Sequence, residues 1–246
     1  MPAKKEEEFR EEPRVATGIP GLDELIEGGF ERHSVVLVAG EAGSGKSTFA
    51  LQFLYNGATK FGEPGLYITF EEQKRAIFRH YLRFGWNFPE LEKQKKISVA
   101  EYPPHEVDKF ISEGGIIEDL IRDNDIQRVA IDSMTSFALL YENEYKRRSA
   151  FLKAMEQLRR WGCTTLLTSE AEATRAGELR VRFGMEFLTD GFIAIHTIRK
   201  GDVRDSALEV VKLRGTEHVK RLVPLKITKT GIVVYPNQPV FGEKAF

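Results

Sequence analysis

Short apolar runs bounded by turn residues alternate with longer amphipathic stretches along most of this chain. The run 34–39 (SVVLVA) reads as a strand covered on both faces, because four to eight consecutive apolar residues between turn signals suit that environment. A helix is predicted from 46 to about 60. The alternation continues with a strand over 65–70 (GLYITF), a helix over 73–84, a strand over 96–100 and a helix over 106–122. A strand over 128–132 (RVAID), a helix over 144–161 and a strand over 163–169 (CTTLLTS) follow. Strands separated by helices of this length need right-handed crossovers, so the expected class is α/β, a mostly parallel sheet flanked by helices. Beyond residue 190 the pattern changes. Runs over 191–198, 207–214, 219–227 and 231–235 are separated by Lys200-Gly201-Asp202, Gly215 and Lys229-Thr230-Gly231, which predicts antiparallel β-hairpins extending the sheet.

Composition narrows the function classes. The chain has 246 residues, 41% of them hydrophobic, enough to bury a substantial core in one large domain or two small ones. Its 36 basic and 37 acidic side chains nearly cancel. A general polyanion binder needs an excess of Lys and Arg at the phosphates, so any anion site must be local. The single cysteine, Cys163, cannot close an intrachain disulfide, and no apolar run approaches the roughly 20 residues of a membrane span. A reduced, cytoplasmic protein with no membrane contact is expected. His33, His80, His105, His196 and His218 are too dispersed for a local metal pair. The charged start, MPAKKEEEFREE, is expected to be a flexible end over 1–13, with one domain over 14–236 and a tail over 237–246.

The local anion site is legible. Residues 40–47 read Gly-Glu-Ala-Gly-Ser-Gly-Lys-Ser, the pattern G-x-x-x-x-G-K-[ST], placed between a predicted strand and a predicted helix. Glycines let the backbone curl so that the N–H groups of Gly40, Ala42, Gly43, Ser44 and Gly45 can face a phosphate. The first helical residues, from Lys46 through Ser47 and Thr48, add the positive end of the helix dipole. Lys46 is placed to reach the β- and γ-phosphates and Ser47 to coordinate Mg²⁺, so the expected ligand is ATP with Mg²⁺. Asp132, closing the strand 128–132, is the expected carboxylate on the metal side; the alternative is a helix N-cap. Glu71 and Glu72 follow the strand 65–70 at its carboxyl end, where open α/β sheets bind ligands. Glu71 is the candidate base for the attacking water and Glu72 its assistant. For Glu72 the alternative is an exposed first-turn acid favoured by the dipole.

Together these features resemble a known family. TGIPGLDELIEGGF, GEAGSGKST, YITFEE followed by FGW at 84–86, VAIDS, TDGF and KLRGTEH, in that order over roughly 14–236, are similar to the KaiC-like branch of the RecA superfamily of P-loop ATPases. The resemblance implies a RecA-like core and a homo-oligomeric ring, usually a hexamer, with ATP held between neighbours. It implies that Lys212 and Arg214 act in trans, that Leu213, Thr216 and His218 line the nucleotide, and that Thr228 joins from the next strand. A trans cation would stabilise transition-state charge and tie turnover to assembly. The alternative for Lys212 and Arg214 is an exposed charged stripe on an edge strand.

Departures from the family pattern are informative. Its two-domain clock proteins carry a Ser-Thr pair where this chain has Glu186 and Phe187, which cannot accept a phosphoryl group, so autokinase chemistry is not expected here. Arg83 precedes FGW and Lys229 follows Thr228 where the family has a small polar residue and an Asp, leaving base selectivity open. Glu170 is either a γ-phosphate sensor or a solvated loop acid. Arg175, Arg180 and Arg182 are either surface or intersubunit arginines, the favoured reading, or the lining of a basic ring channel. Three functions compete: an ATPase ring that switches conformation or a signalling partner, an ATP-dependent single-stranded DNA-binding protein, and a regulatory binding module with little turnover.

Overall fold

The computed structural model describes residues 13–103, 114–174 and 178–240. The alternating half forms as expected. β1 (Val35–Gly40), β2 (Gly65–Thr69), β3 (Ile97–Glu101), β4 (Arg128–Asp132) and β5 (Thr164–Ala173) are parallel to their neighbours in the order β3-β2-β4-β5-β1. β7 (Gly191–Lys200) continues the parallel set beside β1. β8 (Val203–Leu213), β9 (Val223–Thr228) and β10 (Gly231–Val234) then add antiparallel strands. A short β6 (Leu179–Val181) pairs with β5 off this path.

Among the described residues the α-helices are α1 (Lys46–Asn56), α2 (Lys74–Tyr81), α3 (Phe88–Lys93), α4 (Gly114–Asp123), α5 (Met134–Leu139) and α6 (Glu144–Trp161). Strand period explains the two-sided core. In β1, Val36 and Val38 point into one cluster with Phe49, Phe53 and Leu54 of α1, while Val35, Leu37 and Ala39 point into another with Met134, Phe137 and Leu158. Such a strand must be apolar on both faces, as 35–39 is. α6 is bounded by its own chemistry: the Asn143 side chain accepts from Tyr145 N (2.8 Å) and Lys146 N (3.3 Å), and Gly162 ends the helix at φ 63°.

Several boundaries differ from the expectation. α1 passes into a π-helical turn at Gly57–Phe61, and α2 into a 3-10 turn at Leu82–Phe84. The strand expected over 219–227 starts only at Val223, whereas the one expected from 207 already begins at Val203. That β7–β8 hairpin pairs its backbone down to Lys200↔Val203, so the polar stretch 203–206 is strand without an apolar signal. α3 is capped by Asn87, whose Oδ1 accepts from Glu90 N at 3.2 Å, with Pro89 in its first turn. Both α3 and α5 add to the predicted set. Of the helix expected over 106–122, the part before 114 lies outside the described residues, as do 1–12 and 241–246.

Candidate nucleotide site

β1 ends at Gly40 in the middle of the sheet, between β5 and β7, and the chain turns there through 41–45 into α1. Gly43 (φ 75°) and Gly45 (φ 102°) adopt left-handed conformations that fold the loop over the strand end. A Cβ on Gly45 would also meet Ile227 Cδ1 at 2.9 Å, so this glycine lets the β9–β10 hairpin approach the loop. α1 starts with no side-chain cap and no acid in its first turn, which leaves its N–H groups to an external anion. Ser44 Oγ is buried without a protein partner in the same loop. Lys46 is buried at its start and donates to Gly40 O (3.0 Å) and Glu41 O (2.9 Å). Burial lowers its pKa, opposed by Asp132, Glu170 and Glu71, so three carboxylates converge electrostatically on this ammonium. Ser47 and Thr48 occupy the second and third positions of the helix.

Asp132 lies at the carboxyl end of β4, in register with Thr69 of β2. Each of its oxygens accepts from a buried hydroxyl: Oδ1 from Thr168 Oγ1 and Oδ2 from the Tyr67 phenol, both at 2.5 Å. Ser133, not Asp132, occupies the N-cap position of α5, and its side chain makes no cap hydrogen bond. Burial, followed by the charge of Asp132, pushes the Tyr67 phenol well above the usual tyrosine range, so it stays protonated and donating. Neither Tyr67 nor Thr168 was singled out from sequence. Each is a hydroxyl side chain in a largely buried strand, and no local pattern marks it as a partner of Asp132.

Glu71 Oε1 accepts from Ser133 Oγ (3.1 Å) and from the Ser136 hydroxyl, which fixes the carboxylate over the start of α5 and leaves Oε2 free of these two bonds. Glu72 turns elsewhere: its Oε1 contacts His80 Nδ1 at 2.7 Å. Glu170 contacts Arg182 at 3.7 Å, and its N–H donates to Thr135 Oγ1 at 2.9 Å.

The implied nucleotide-lining set separates into two places. Thr228 closes β9 beside Ile227 and hence beside the chain's own phosphate loop; its Oγ1 donates to Gly231 O at 2.8 Å. Lys212 pairs with Phe192, whereas Gly40 pairs with Ile195. Lys212 therefore sits about 10 Å back along the sheet, toward the amino ends of the parallel strands, and two strands across. Its Nζ is directed onward to Thr189 O (2.6 Å) and Glu186 O (2.8 Å); burial, then Arg214, lowers its pKa. Arg214 is exposed and donates to Asp190 Oδ1 at 3.1 Å. Leu213, between them in sequence, is buried in the core. Thr216 Oγ1 accepts from Arg14 at 2.7 Å, and His218 Nδ1 is buried without a partner.

Of the remaining candidates, the residues around FGW have packing roles. Trp86 is buried and stacks with Tyr55 and Tyr81, at centroid distances of 5.4 and 5.8 Å, and Phe84 packs against it with tilted rings at 4.9 Å. Arg83 lies over Phe84. Arg180 lines a groove of about 430 Å³ with Arg147, Arg148, Phe183 and Glu186. Arg175 lies outside the described residues. Among the described residues no helix is long and apolar enough to cross a membrane.

A parallel sheet with a phosphate loop after its central strand, an acid at the end of a neighbouring strand and C-terminal antiparallel strands is the RecA-like P-loop NTPase architecture. Comparison with known proteins agrees. A family model described as "ATPase: KaiC" matches residues 15–239. The circadian clock oscillator protein KaiC of Thermostichus vulcanus is 35% identical over 239 residues, covering 94% of this chain and 46% of that protein. The corresponding protein of Parasynechococcus marenigrum (strain WH8102) is 33% identical over 231 residues, covering 91% and 45%. The chain thus spans under half the length of these curated relatives. The crystal structure of a KaiC-like protein from the hyperthermophilic archaeon Pyrococcus horikoshii OT3 superposes with a TM-score of 0.82 at 40% identity, covering 91% of this chain and 99% of that one. The chain belongs to the KaiC family of RecA-superfamily ATPases.

Proposed function

We propose that this protein is a Mg²⁺-dependent ATPase that works as a homo-oligomeric ring, a hexamer, in which each ATP is bound by one chain and acted on by cations of the next. The observation that carries this reading is the separation of Lys212 and Arg214 from their own phosphate loop: they sit at the opposite end of the parallel strands and face away from it. A second copy is the natural source of what each chain's loop lacks.

The site's chemistry suits the ligand. The left-handed glycines, the uncapped start of α1 and the unpartnered Ser44 hydroxyl form a cradle for phosphate oxygens. Among the described residues no cluster of three or more His, Cys, Asp or Glu side chains could hold a metal. Mg²⁺ would therefore be shared between Ser47, Asp132 through its water shell, and the nucleotide. When bound, Mg²⁺ neutralises phosphate charge and so favours displacement at the γ-phosphorus. Lys46 exchanges its backbone carbonyl partners for β- and γ-oxygens. Glu71, held through Oε1 by Ser133 and Ser136, orients the attacking water with Oε2 and takes its proton. Thr228 and the neighbour's Leu213, Thr216 and His218 line the nucleotide, while the neighbour's Lys212 and Arg214 balance charge on the transferred phosphoryl group. Glu72, engaged by His80, assists only through its charge, which is felt by the Tyr67 phenol that holds Asp132. Because Glu186 and Phe187 stand where a phosphoryl acceptor would be needed and cannot act as one, turnover ends in hydrolysis, and the cycle drives a conformational or signalling change in the cytoplasm.

Mixing subunits tests this. Lys46→Ala chains and Arg214→Ala chains are each expected to be inactive alone, and mixed rings should regain part of the ATPase because some interfaces join an intact loop to an intact arginine. Absence of recovery in rings shown to be mixed would overturn the trans arrangement.

A further inference from the structure

The corner that holds Arg214 has a second attachment which the proposed reaction does not use. Asp190 follows the turn Arg182–Phe187 and immediately precedes β7. Its Oδ1 accepts from Arg214 Nη1 at 3.1 Å, and its backbone O accepts from Arg214 N at 2.9 Å. Its other oxygen, Oδ2, accepts from Val35 N at 3.0 Å, and its own N–H donates to Val35 O at 2.8 Å. Val35 opens β1, the strand whose last residue, Gly40, opens the phosphate loop. Arg159 contributes a further contact to Oδ1 at 3.7 Å. The side chain of Asp190 is thus fastened to the base of the chain's own phosphate-loop strand with one oxygen and to the outgoing guanidinium with the other.

We propose that Asp190 is the positioning residue for Arg214: it fixes the guanidinium that the neighbouring chain's ATP requires and ties it rigidly to the strand carrying its own chain's loop. This rests on the trans arrangement proposed above. Arg214 is otherwise an exposed, flexible side chain, and a free guanidinium would have to lose its rotamer entropy at each turnover. A carboxylate anchored by a backbone N–H cannot follow the arginine into other rotamers. It therefore holds the arginine in one place, as a supporting shell holds a catalytic group. Lys212 is held by the same corner, through the carbonyls of Glu186 and Thr189. Both cations leave from one short segment whose position is set by β1.

Asp190→Asn separates this role from a structural one. The amide oxygen can still accept from Val35 N, which turns the NH₂ group toward Arg214, so the guanidinium loses its acceptor while the backbone anchor stays. Misplacement of such a group by about 1 Å costs up to about 100-fold. Homogeneous Asp190→Asn rings should show kcat reduced 10-fold or more, with ATP binding by the chain's own loop changed less than twofold. Subunit mixing then gives the decisive pattern. Asp190→Asn with Lys46→Ala should recover activity, because the Lys46→Ala chain offers a well-held Arg214 to an intact loop. Asp190→Asn with Arg214→Ala should not recover, because both chains fail on the donating side. Recovery in that second mixture would overturn the proposal and place the defect in the chain's own loop, through Val35. Failure of the separate Lys46→Ala with Arg214→Ala control would instead defeat the trans arrangement itself. If Asp190→Asn does not assemble, Asp190→Ser, a shorter acceptor for the same N–H, is put through the same mixtures and read by the same criterion.

Discussion

Removing the Tyr67 hydroxyl should loosen the metal side of the site while leaving the fold intact. Tyr67 is wholly buried in β2, and its phenol donates to Asp132 Oδ2 at 2.5 Å while Thr168 holds Oδ1. Tyr67→Phe keeps the ring in the core and deletes one charge-assisted hydrogen bond, worth about 1.5–3 kcal/mol. At about 1.4 kcal/mol per decade, a loss of that size spent on carboxylate orientation predicts a roughly 10- to 100-fold rise in the Mg²⁺ concentration needed, the range seen when partners of metal-site carboxylates are removed. The assay is equilibrium binding of a fluorescent ATP analogue across a Mg²⁺ titration, with steady-state ATPase measured over the same range. Binding without Mg²⁺ should change little, since the phosphate loop is untouched. If the Mg²⁺ requirement moves less than twofold while kcat falls, Tyr67 does not act through Asp132 and the clamp has been misread.

Other perturbations test other parts of the structure. Arg128 is fully buried, pairs with Glu63 and donates to Phe53 O (3.0 Å) and Ala16 O (2.9 Å), so Arg128→Met should cost about 3–5 kcal/mol. For a chain this size that is a fall in Tm of about 6–20 °C by calorimetry, partly relieved in the double variant with Glu63→Gln. Glu71→Gln should retain ATP binding in filter or fluorescence assays yet lose about 100-fold or more in hydrolysis; unchanged turnover would remove Glu71 from the mechanism. Burial raises the Cys163 thiol from the ordinary 9.0 to about 12. The unfolded chain therefore releases this proton first. The thiol's contribution to stability is complete below about 9 and declines as pH rises toward 12. Native protein at pH 8 should resist alkylation that goes to completion in denaturant; equal rates would show that the thiol is exposed.

Much of the architecture was legible because parallel strands covered on both faces need consecutive apolar residues, and 35–39, 66–68 and 129–131 supply them. The elements missed lack that compulsion. α5 is only six residues and follows directly on β4, while residues 203–206 are strand because an antiparallel partner pairs with their backbone. The phosphate loop was legible from spacing alone, since glycines at 43 and 45 are required by positive φ. The reading of Glu71 as base and Glu72 as assistant rests on position alone; the contacts that separate them, Ser133 and Ser136 for Glu71 and His80 for Glu72, come from residues distant in sequence or from a helix turn and are not legible there. Tyr67, Thr168 and Asp190 escaped for the same reason: their significance lies in what folding brings within about 3 Å, and no local pattern records it.

The central claim is that a complete site exists only between two chains. The most direct measurement is a structure of the assembled protein with Mg²⁺ and a non-hydrolysable ATP analogue. The account predicts that the phosphates lie against Lys46 and Ser47 of one chain, with Arg214 of the adjacent chain within hydrogen-bonding distance of the terminal phosphate or the sugar. An analogue contacted by a single chain, with Arg214 of every other chain remote from the nucleotide, would contradict it.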